Sequence, residues 1–566
     1  MKPRHSLVRA LIALVVPLLT SSVVFAGTVV DAAMHGDAAT LQRLLAEQAD
    51  VNAPQTDGAT ALHWAVHRGD AELVRALLAA GADVAAVNTS GVAPLLLAAE
   101  TGNAEIIGLL LDAGAALETT LRNGETALMM AARTGNVAAI ELLLDRGAPI
   151  DAREPLRGTT ALMWAAAYGH SAAVTTLLAH GADFTLRSSA TVRGRRPYLA
   201  PSGRERIAQV ARGVDVSGTA RPAARPATPA APATPVVADD EPEGLAPQQQ
   251  ARDWGGLTPL AFATREGDLD TTRILLDAGA DVNQTTEFGW TPLLVATQNR
   301  YYRLGQYFLE RGADPNLTNK GGWSALYLAT DNRNIEGGDY PTRKPDMDHL
   351  EFIRLLLARG ADPNTRMHSS TETRTVFTHQ WLYENGATPF LRAAQSGDLT
   401  LMKLLLEHGA DANISTDDGV TPLMVASGIG WVEGVTYEWS PEQTLQTVQL
   451  LLELGADVNA RDTAEGRTAL MGAAHKGRTD VIKVLVEHGA DLATRDVGSR
   501  DSLYKLAGVT WQAIDYADGL VRVGVQSAIP HPEAAALLRD YMRQAGLAVP
   551  PAGRTLDSIC ITDLCR

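Results

Sequence analysis

The chain has 566 residues, a formal net charge of −16 and only two cysteines. Its length excludes a single compact hydrophobic core. Its negative charge argues against a general binder of nucleic acid or anionic membranes. The sequence contains no P-loop, H-E-x-x-H, G-x-S-x-G or zinc-ligand spacing, so no metal or cofactor site is predicted.

Residues 1–26 have the pattern of a secretory signal peptide. A positively charged start precedes the apolar stretch Leu11–Leu19, and Val24-Phe25-Ala26 places small residues before a cut at Gly27. The alternative is an uncleaved anchor, but the apolar stretch is shorter than the roughly 20 residues that span a bilayer. We therefore expect a periplasmic or secreted protein with no stable membrane insertion after cleavage.

A helical unit then recurs along the chain. Gly58, Gly91 and Gly124 open successive units 33 residues apart, and the same interval separates Gly256, Gly289 and Gly322. Each unit has a Thr-like cap, a short Ala-rich helix, a Gly turn and a Leu-rich second helix that ends in Gly-Ala. A fixed period of this length indicates a solenoid, in which each unit buries its apolar face only by stacking on its neighbours.

The motifs T-P-L-x-x-A-A and L-L-L-x-x-G-A-D-x-N carry a family resemblance, for example at Gly279–Asn283 and Gly455–Asn459. Through these two motifs the chain resembles the ankyrin repeat family. The resemblance implies an all-α solenoid of about twelve units including caps, a protein-binding function and no enzymatic chemistry. Only His63 keeps the family's histidine after T-P-L, so the His–Thr hydrogen bonding that the family implies is mostly absent. The excess of arginine over lysine and the abundant alanine suggest a bacterial source.

Departures from the period define the expected domains. We predict repeats over 27–187 (a cap plus four full units), a basic and then Pro/Ala-rich disordered insert over 188–253, repeats over 254–546, and a tail over 547–566. The basic part of the insert is either a solvated loop or a docking patch for an acidic partner. We favour one continuous stack from which this insert projects. Five shorter inserts within the second array mark candidate binding loops: 333–348, 368–384, 430–443, 497–506 and 518–531.

Aromatic residues in loops are the first candidate binding residues. Trp290 and Trp323 precede the Thr-like cap of neighbouring units and are expected to be exposed at the hairpin tips, unless each covers the hairpin below it. Trp431, Tyr437 and Trp439 lie in one insert, and Trp381 and Tyr383 lie in another. These side chains either anchor their loops to the solenoid or contact a partner.

A second candidate surface lies at the end of the first helices. His67, Arg68, Arg133 and Tyr168 follow the small-residue pair of their units and are expected to face a partner. Trp64 and Trp164, inside the first helices, are predicted to pack in the core between units. We therefore expect a monomeric scaffold that binds a protein partner outside the cytoplasm.

Two other functions stay open at this stage. The Trp and Tyr inserts would also suit a glycan or another small ligand. Cys560 and Cys565, in the last seven residues, are expected to form a disulfide in an oxidising compartment, and a redox role for this pair is the alternative. Their spacing differs from the C-x-x-C of thioredoxin-like proteins.

Overall fold

A regular alternation of short and amphipathic helices builds the fold. The computed structural model describes residues 28–189, 256–334, 344–369, 382, 384–431, 437–498, 510–521 and 529–554. Within these ranges 24 helices pair into twelve helix–turn–helix repeats, which confirms the predicted all-α architecture. No strand occurs in the same ranges beyond an isolated bridge between Thr120 and Thr126. The repeats form two units, residues 1–152 and 153–566, which we describe separately.

The first unit contains repeats 1 to 4, each with a first and a second helix. Their bounds are α1 Val29–His35, α2 Ala38–Ala46, α3 Ala61–His67, α4 Ala71–Ala79, α5 Pro94–Thr101, α6 Ala104–Asp112, α7 Ala127–Thr134 and α8 Val137–Asp145. First helices pack on first helices of adjacent repeats, and among the second helices α4 packs on α6 and α6 packs on α8.

The second unit contains repeats 5 to 12. The bounds of its first helices are α9 Ala161–Ala167, α11 Pro259–Glu266, α13 Pro292–Gln298, α15 Ala325–Arg333, α17 Pro389–Gln395, α19 Pro422–Ser427, α21 Ala469–His475 and α23 Ala513–Ala517. The bounds of its second helices are α10 Ser171–Ala179, α12 Leu269–Asp277, α14 Tyr302–Glu310, α16 His349–Ala358, α18 Leu399–Glu407, α20 Pro441–Glu453, α22 Thr479–Glu487 and α24 Pro532–Gln544.

Capping explains where the first helices begin. The hydroxyl groups of Thr258, Thr291 and Thr388 accept a hydrogen bond from the backbone N–H three residues later, and proline follows each of them at the first helical position. These contacts satisfy donors that a helix terminus otherwise leaves open, and the proline lacks the N–H that would go unused. The capping role predicted for these threonines is confirmed.

His63 contributes the family's additional contact in the first unit. Its Nδ1 lies 2.9 Å from the Thr60 hydroxyl, and its Nε2 lies 2.9 Å from the carbonyl oxygen of Val92 in the next repeat. Burial of the ring lowers the pKa of His63. The neutral imidazole therefore joins its own cap to the following hairpin.

Repeats 5 and 6 pack directly on each other although residues 190–255 separate them in sequence. Helix α9 contacts α11, and α10 contacts α12. At the base of this segment, the backbone N–H of Ser188 donates to the Leu257 carbonyl at 2.9 Å, and that of Gly256 donates to the Ser188 carbonyl at 3.1 Å. The stack of the second unit is therefore continuous at this position.

The packing of second helices leads to a first prediction, at Gly305 in α14. A Cβ atom added there would lie 2.7 Å from Cζ of Phe352, whose buried ring stacks on Tyr302 with centroids 4.4 Å apart. Because this ring cannot move away, we expect Gly305→Ala to destabilise the protein by about 1–2 kcal/mol, although alanine gains about 1 kcal/mol in helix propensity. Urea denaturation followed by circular dichroism measures the change.

Gly108 in α6 provides the matched control for this substitution. A Cβ atom there would lie 3.6 Å from Cδ2 of Leu142, an ordinary van der Waals distance. Gly108→Ala is therefore expected to leave stability unchanged or to raise it by up to about 1 kcal/mol. Equal effects of the two substitutions would contradict the packing argument.

Candidate binding face

The fourth, seventh and eighth residues after each cap lie on the same side of a first helix, because these positions are separated by about one helical turn. We call the surface that they form the first-helix face. It is the side of a first helix that its own second helix leaves uncovered. The fourth-position residues are Trp64, Leu97 and Met130 in repeats 2 to 4, and Trp164, Phe262, Val295, Leu328, Arg392, Val425, Gly472 and Tyr516 in repeats 5 to 12.

In the first unit this face contains a partly exposed tryptophan and several charged groups. The Trp64 indole N–H donates to Oε1 of Gln55 at 2.9 Å, and its ring meets that of His67 edge to face at 5.9 Å. His67 and Arg68 are exposed, as predicted. Arg133 forms a 2.7 Å ion pair with Glu100 of the preceding repeat, so its guanidinium also joins repeats 3 and 4.

In the second unit the same face begins with a stack of aromatic rings. Tyr168 is 55% exposed and lies parallel to Trp164, with ring centroids 6.0 Å apart, and parallel to His170 at 6.4 Å. The Trp164 indole N–H donates to the Thr159 hydroxyl at 3.0 Å. This bond fixes the ring while leaving part of it accessible.

Phe262 in repeat 6 and Val295 in repeat 7 continue this surface, and both are partly exposed. The Arg265 guanidinium lies 5.2 Å from the centre of the Phe262 ring, a favourable cation–π distance. Because α9 packs on α11 and α11 packs on α13, the fourth-position side chains of repeats 5 to 7 form one row. The face of these three repeats is aromatic, aliphatic and accessible.

The expectation that Trp64 and Trp164 belong to the core is wrong. Both indole rings are partly exposed. No motif in the sequence assigns a role to Phe262, Arg265 or Val295. Counting four and seven residues from the threonine cap would have found them.

From repeat 8 onward the first-helix face is closed. Leu328, Arg392 and Val425 are each 1% exposed, and the seventh-position residues Gln395 and His475 are also buried. The positions that are accessible in repeats 5 to 7 are therefore occupied by buried side chains from repeat 8 onward. The part of the second unit available for binding on this face is therefore repeats 5 to 7.

Trp290 and Trp323 differ in exposure although they occupy equivalent positions. Trp290 is partly exposed and lines a small pocket with Arg187 and Val295. Trp323 is fully buried: its indole N–H donates to the Ser369 carbonyl at 2.9 Å, and its ring meets Tyr327 at 4.9 Å. The predicted exposure of Trp323 is wrong because the next hairpin crosses over it.

The aromatic residues of the 430–443 insert have three different environments. The Trp439 indole N–H donates to Oδ1 of Asn334 at 2.8 Å, and the Arg333 guanidinium lies 4.3 Å from its ring. This geometry supports the anchoring alternative for Trp439. Tyr437 is 37% exposed and meets Trp439 edge to face, whereas Trp431 is partly exposed and lies 5.5 Å from the Lys476 ammonium.

Glu438, beside Trp439, connects the insert to repeat 11. Its carboxylate pairs with the Lys476 ammonium at 3.1 Å and the Arg478 guanidinium at 2.8 Å. Burial alone would raise the pKa of Glu438, but the Lys476 ammonium, the Thr444 hydroxyl and the Arg478 guanidinium together outweigh burial and lower it. The carboxylate is therefore ionised and shared between two cations.

Several predicted features lie outside the described residues. These are the signal peptide, most of the 188–253 segment, parts of the shorter inserts, Trp381, Tyr383, Cys560 and Cys565. In the part of the chain that the structure describes, no group of three or more His, Cys, Asp or Glu residues is placed to hold a metal ion. None of the helices described above is long and apolar enough to cross a membrane.

Curated proteins with similar sequences match parts of this chain. Rat ankyrin repeat and SAM domain-containing protein 6 (Rattus norvegicus) is 31% identical over 140 residues, which are 25% of this chain and 13% of that protein. Mouse ankyrin repeat domain-containing protein 63 (Mus musculus) is 37% identical over 114 residues, which are 20% of this chain and 26% of that protein. The chain thus spans about a quarter or less of the length of these relatives.

A solved structure and a family model complete the comparison. The crystal structure of the human ASB11 ankyrin repeat domain is 22% identical, covers 51% of this chain and 98% of its own, and has a TM-score of 0.36. A family model described as ankyrin repeats (3 copies) matches residues 29–120, 109–188, 243–319, 260–367, 347–437 and 440–504, more than half of the chain. The chain therefore belongs to the ankyrin repeat family, whose repeats are protein–protein interaction modules.

Proposed function

We propose that this chain is a scaffold outside the cytoplasm that binds a partner protein through its open first-helix faces, that of repeats 2 and 3 in the first unit and that of repeats 5 to 7 in the second. The observation that carries the proposal is the row of partly exposed residues Trp164, Tyr168, Phe262 and Val295. Residues at equivalent positions are buried from repeat 8 onward. Aromatic side chains and arginine are the residues that most often dominate binding energy at protein interfaces.

The proposed location rests on the sequence of residues 1–26. Its basic start, its apolar stretch and the small residues before Gly27 are the features that export machinery recognises. The partner is then a periplasmic or extracellular protein. Binding rather than catalysis is the role that stacked repeats with an exposed aromatic face support.

The proposal predicts that Trp164→Ala combined with Tyr168→Ala weakens partner capture at least about tenfold, because each interface hot spot contributes about 2 kcal/mol or more. Mature protein is immobilised, incubated with periplasmic extract and washed. Captured proteins are then quantified by mass spectrometry. Circular dichroism establishes that the double variant folds.

Tyr307→Ala is the matched control, since this partly exposed tyrosine lies on second helix α14 beside the guanidinium groups of Arg273 and Arg311. A protein captured by the wild type and by the control, but not by the double variant, supports the proposal. Equal capture by all three forms would move the site away from the first-helix face. If nothing is captured, a rise in melting temperature with glycan fragments would favour the ligand-binding alternative.

A further inference from the structure

Asparagine side chains connect successive repeats of the second unit along the hairpin edge. Asn283, Asn316, Asn364 and Asn459 each donate from Nδ2 to a glycine carbonyl of the next repeat, at 2.9–3.2 Å. Each also accepts, at 2.8 Å or less, from the backbone N–H of an aspartate two residues beyond that glycine. We call this pair of bonds the hairpin tie.

Within the described residues the tie is missing at three junctions of the second unit. Thr185 and Ala493 stand in place of the asparagine at two of them, and the third has an asparagine that does not form the tie. Asn413 occupies the equivalent position in repeat 9, yet its side chain is exposed and makes neither bond to repeat 10 within the described residues. Its backbone N–H donates to Asp411 of its own turn, a bond that the asparagines with the tie also make. The junction between repeats 9 and 10 is thus held differently from its neighbours.

Residues 437–441, which we call the strap, cross this junction at the opposite edge. The backbone N–H of Trp439 donates to the Ser396 carbonyl of repeat 9 at 3.1 Å. The Trp439 indole N–H reaches Asn334 of repeat 8, two repeats from its own. In a regular solenoid each repeat contacts only its neighbours, so this bond is an additional constraint.

The other end of the strap is fixed to repeat 11. Glu438 pairs with Lys476 and Arg478, and Arg478 also donates to the Pro441 carbonyl at 2.7 Å. The Thr444 hydroxyl and Asp480, which pairs with Arg478, complete the polar surroundings of this carboxylate. One segment of repeat 10 therefore contacts repeats 8, 9 and 11.

We propose that the strap holds the stack together at the junction between repeats 9 and 10, where the hairpin tie is missing. When the Glu438 carboxylate loses its ion pairs with Lys476 and Arg478, the strap is no longer fixed to repeat 11. The stack then opens at this junction, and the effect reaches repeat 8 through Trp439. The proposal is independent of which partner binds to the first-helix face.

Hydrogen exchange of the mature full-length chain tests this proposal with Glu438→Gln. We expect amides in α15 and α17 to exchange about tenfold faster or more, because the bonds that close the junction are lost. The hydrogen bonds and ion pairs of Glu438 go to Thr444, Lys476 and Arg478, which lie outside both helices. Glu453→Gln, at an exposed carboxylate of the same repeat, is the matched control and should exchange like the wild type.

Faster exchange confined to α19 to α22, with α15 and α17 as protected as in the wild type, would overturn the proposal. If Glu438→Gln fails to fold, Trp439→Phe replaces it, since phenylalanine keeps an aromatic ring and removes the N–H that binds Asn334. The expected result is then faster exchange in α15. Unchanged protection from exchange in that helix would show that the strap does not stabilise the junction.

Discussion

Trp323→Ala is expected to lower the free energy of unfolding of the second unit by about 3–5 kcal/mol, the usual cost of truncating a buried aromatic side chain. The indole is fully buried and meets the Tyr327 ring at 4.9 Å. Alanine would leave a cavity between the hairpin and α15. It would also leave the Ser369 carbonyl without its 2.9 Å hydrogen bond.

Urea denaturation followed by far-ultraviolet circular dichroism measures this effect without relying on tryptophan fluorescence. Trp290→Ala is the matched control, because Trp290 occupies the equivalent position one repeat earlier and is partly exposed. We expect the control to lose less than about 1–2 kcal/mol, since a partly exposed side chain leaves no closed cavity. Similar losses for both variants would show that Trp323 is not covered.

The contrast between these two tryptophans shows how far repeat periodicity predicts structure. The period correctly places both residues one position before a cap, and Thr291 and Ser324 cap the helices that follow. Periodicity describes a residue relative to its own repeat. Exposure depends on the next repeat, whose hairpin brings Ser369 to within 2.9 Å of Trp323 Nε1.

The same limit applies to the inserts and the first-helix face. The sequence predicts that residues 430–443 interrupt the repeat, and it leaves open whether their aromatic rings anchor the loop or contact a partner. Trp439 anchors through Asn334, which lies 105 residues earlier in the chain. No local pattern identifies such a distant partner, so the closed face of repeats 8 to 12 was not predictable from spacing.

Arg392 is the clearest case of a residue whose role depends on distant partners. It occupies the fourth position of α17, where neighbouring repeats have Leu328 and Val425, and it is 1% exposed. Its guanidinium donates to Asp331 at 2.8 Å, to the Asn334 carbonyl at 2.6 Å and to the Ser396 hydroxyl at 3.0 Å. The guanidinium charge can be buried here because a carboxylate, a carbonyl and a hydroxyl group all accept hydrogen bonds from it.

We expect Arg392→Leu to destabilise the second unit by about 3–5 kcal/mol, because removing one partner of a buried ion pair leaves the other desolvated. Denaturation in urea measures the loss. Arg273→Leu is the control: its guanidinium lies 3.7 Å from Asp270 and both side chains are largely exposed, so a loss of about 0–1 kcal/mol is expected.

The double variant Arg392→Leu with Asp331→Leu separates the cost of an unpaired charge from that of lost packing. Replacing both members of a buried ion pair by apolar residues is often close to neutral. If the loss comes from the Asp331 carboxylate without its ion pair to Arg392, the double variant should recover most of the stability. If it stays as unstable as Arg392→Leu, lost packing and the lost bonds to Asn334 and Ser396 are the main contribution, and Arg392 then supports the same two residues that hold the strap.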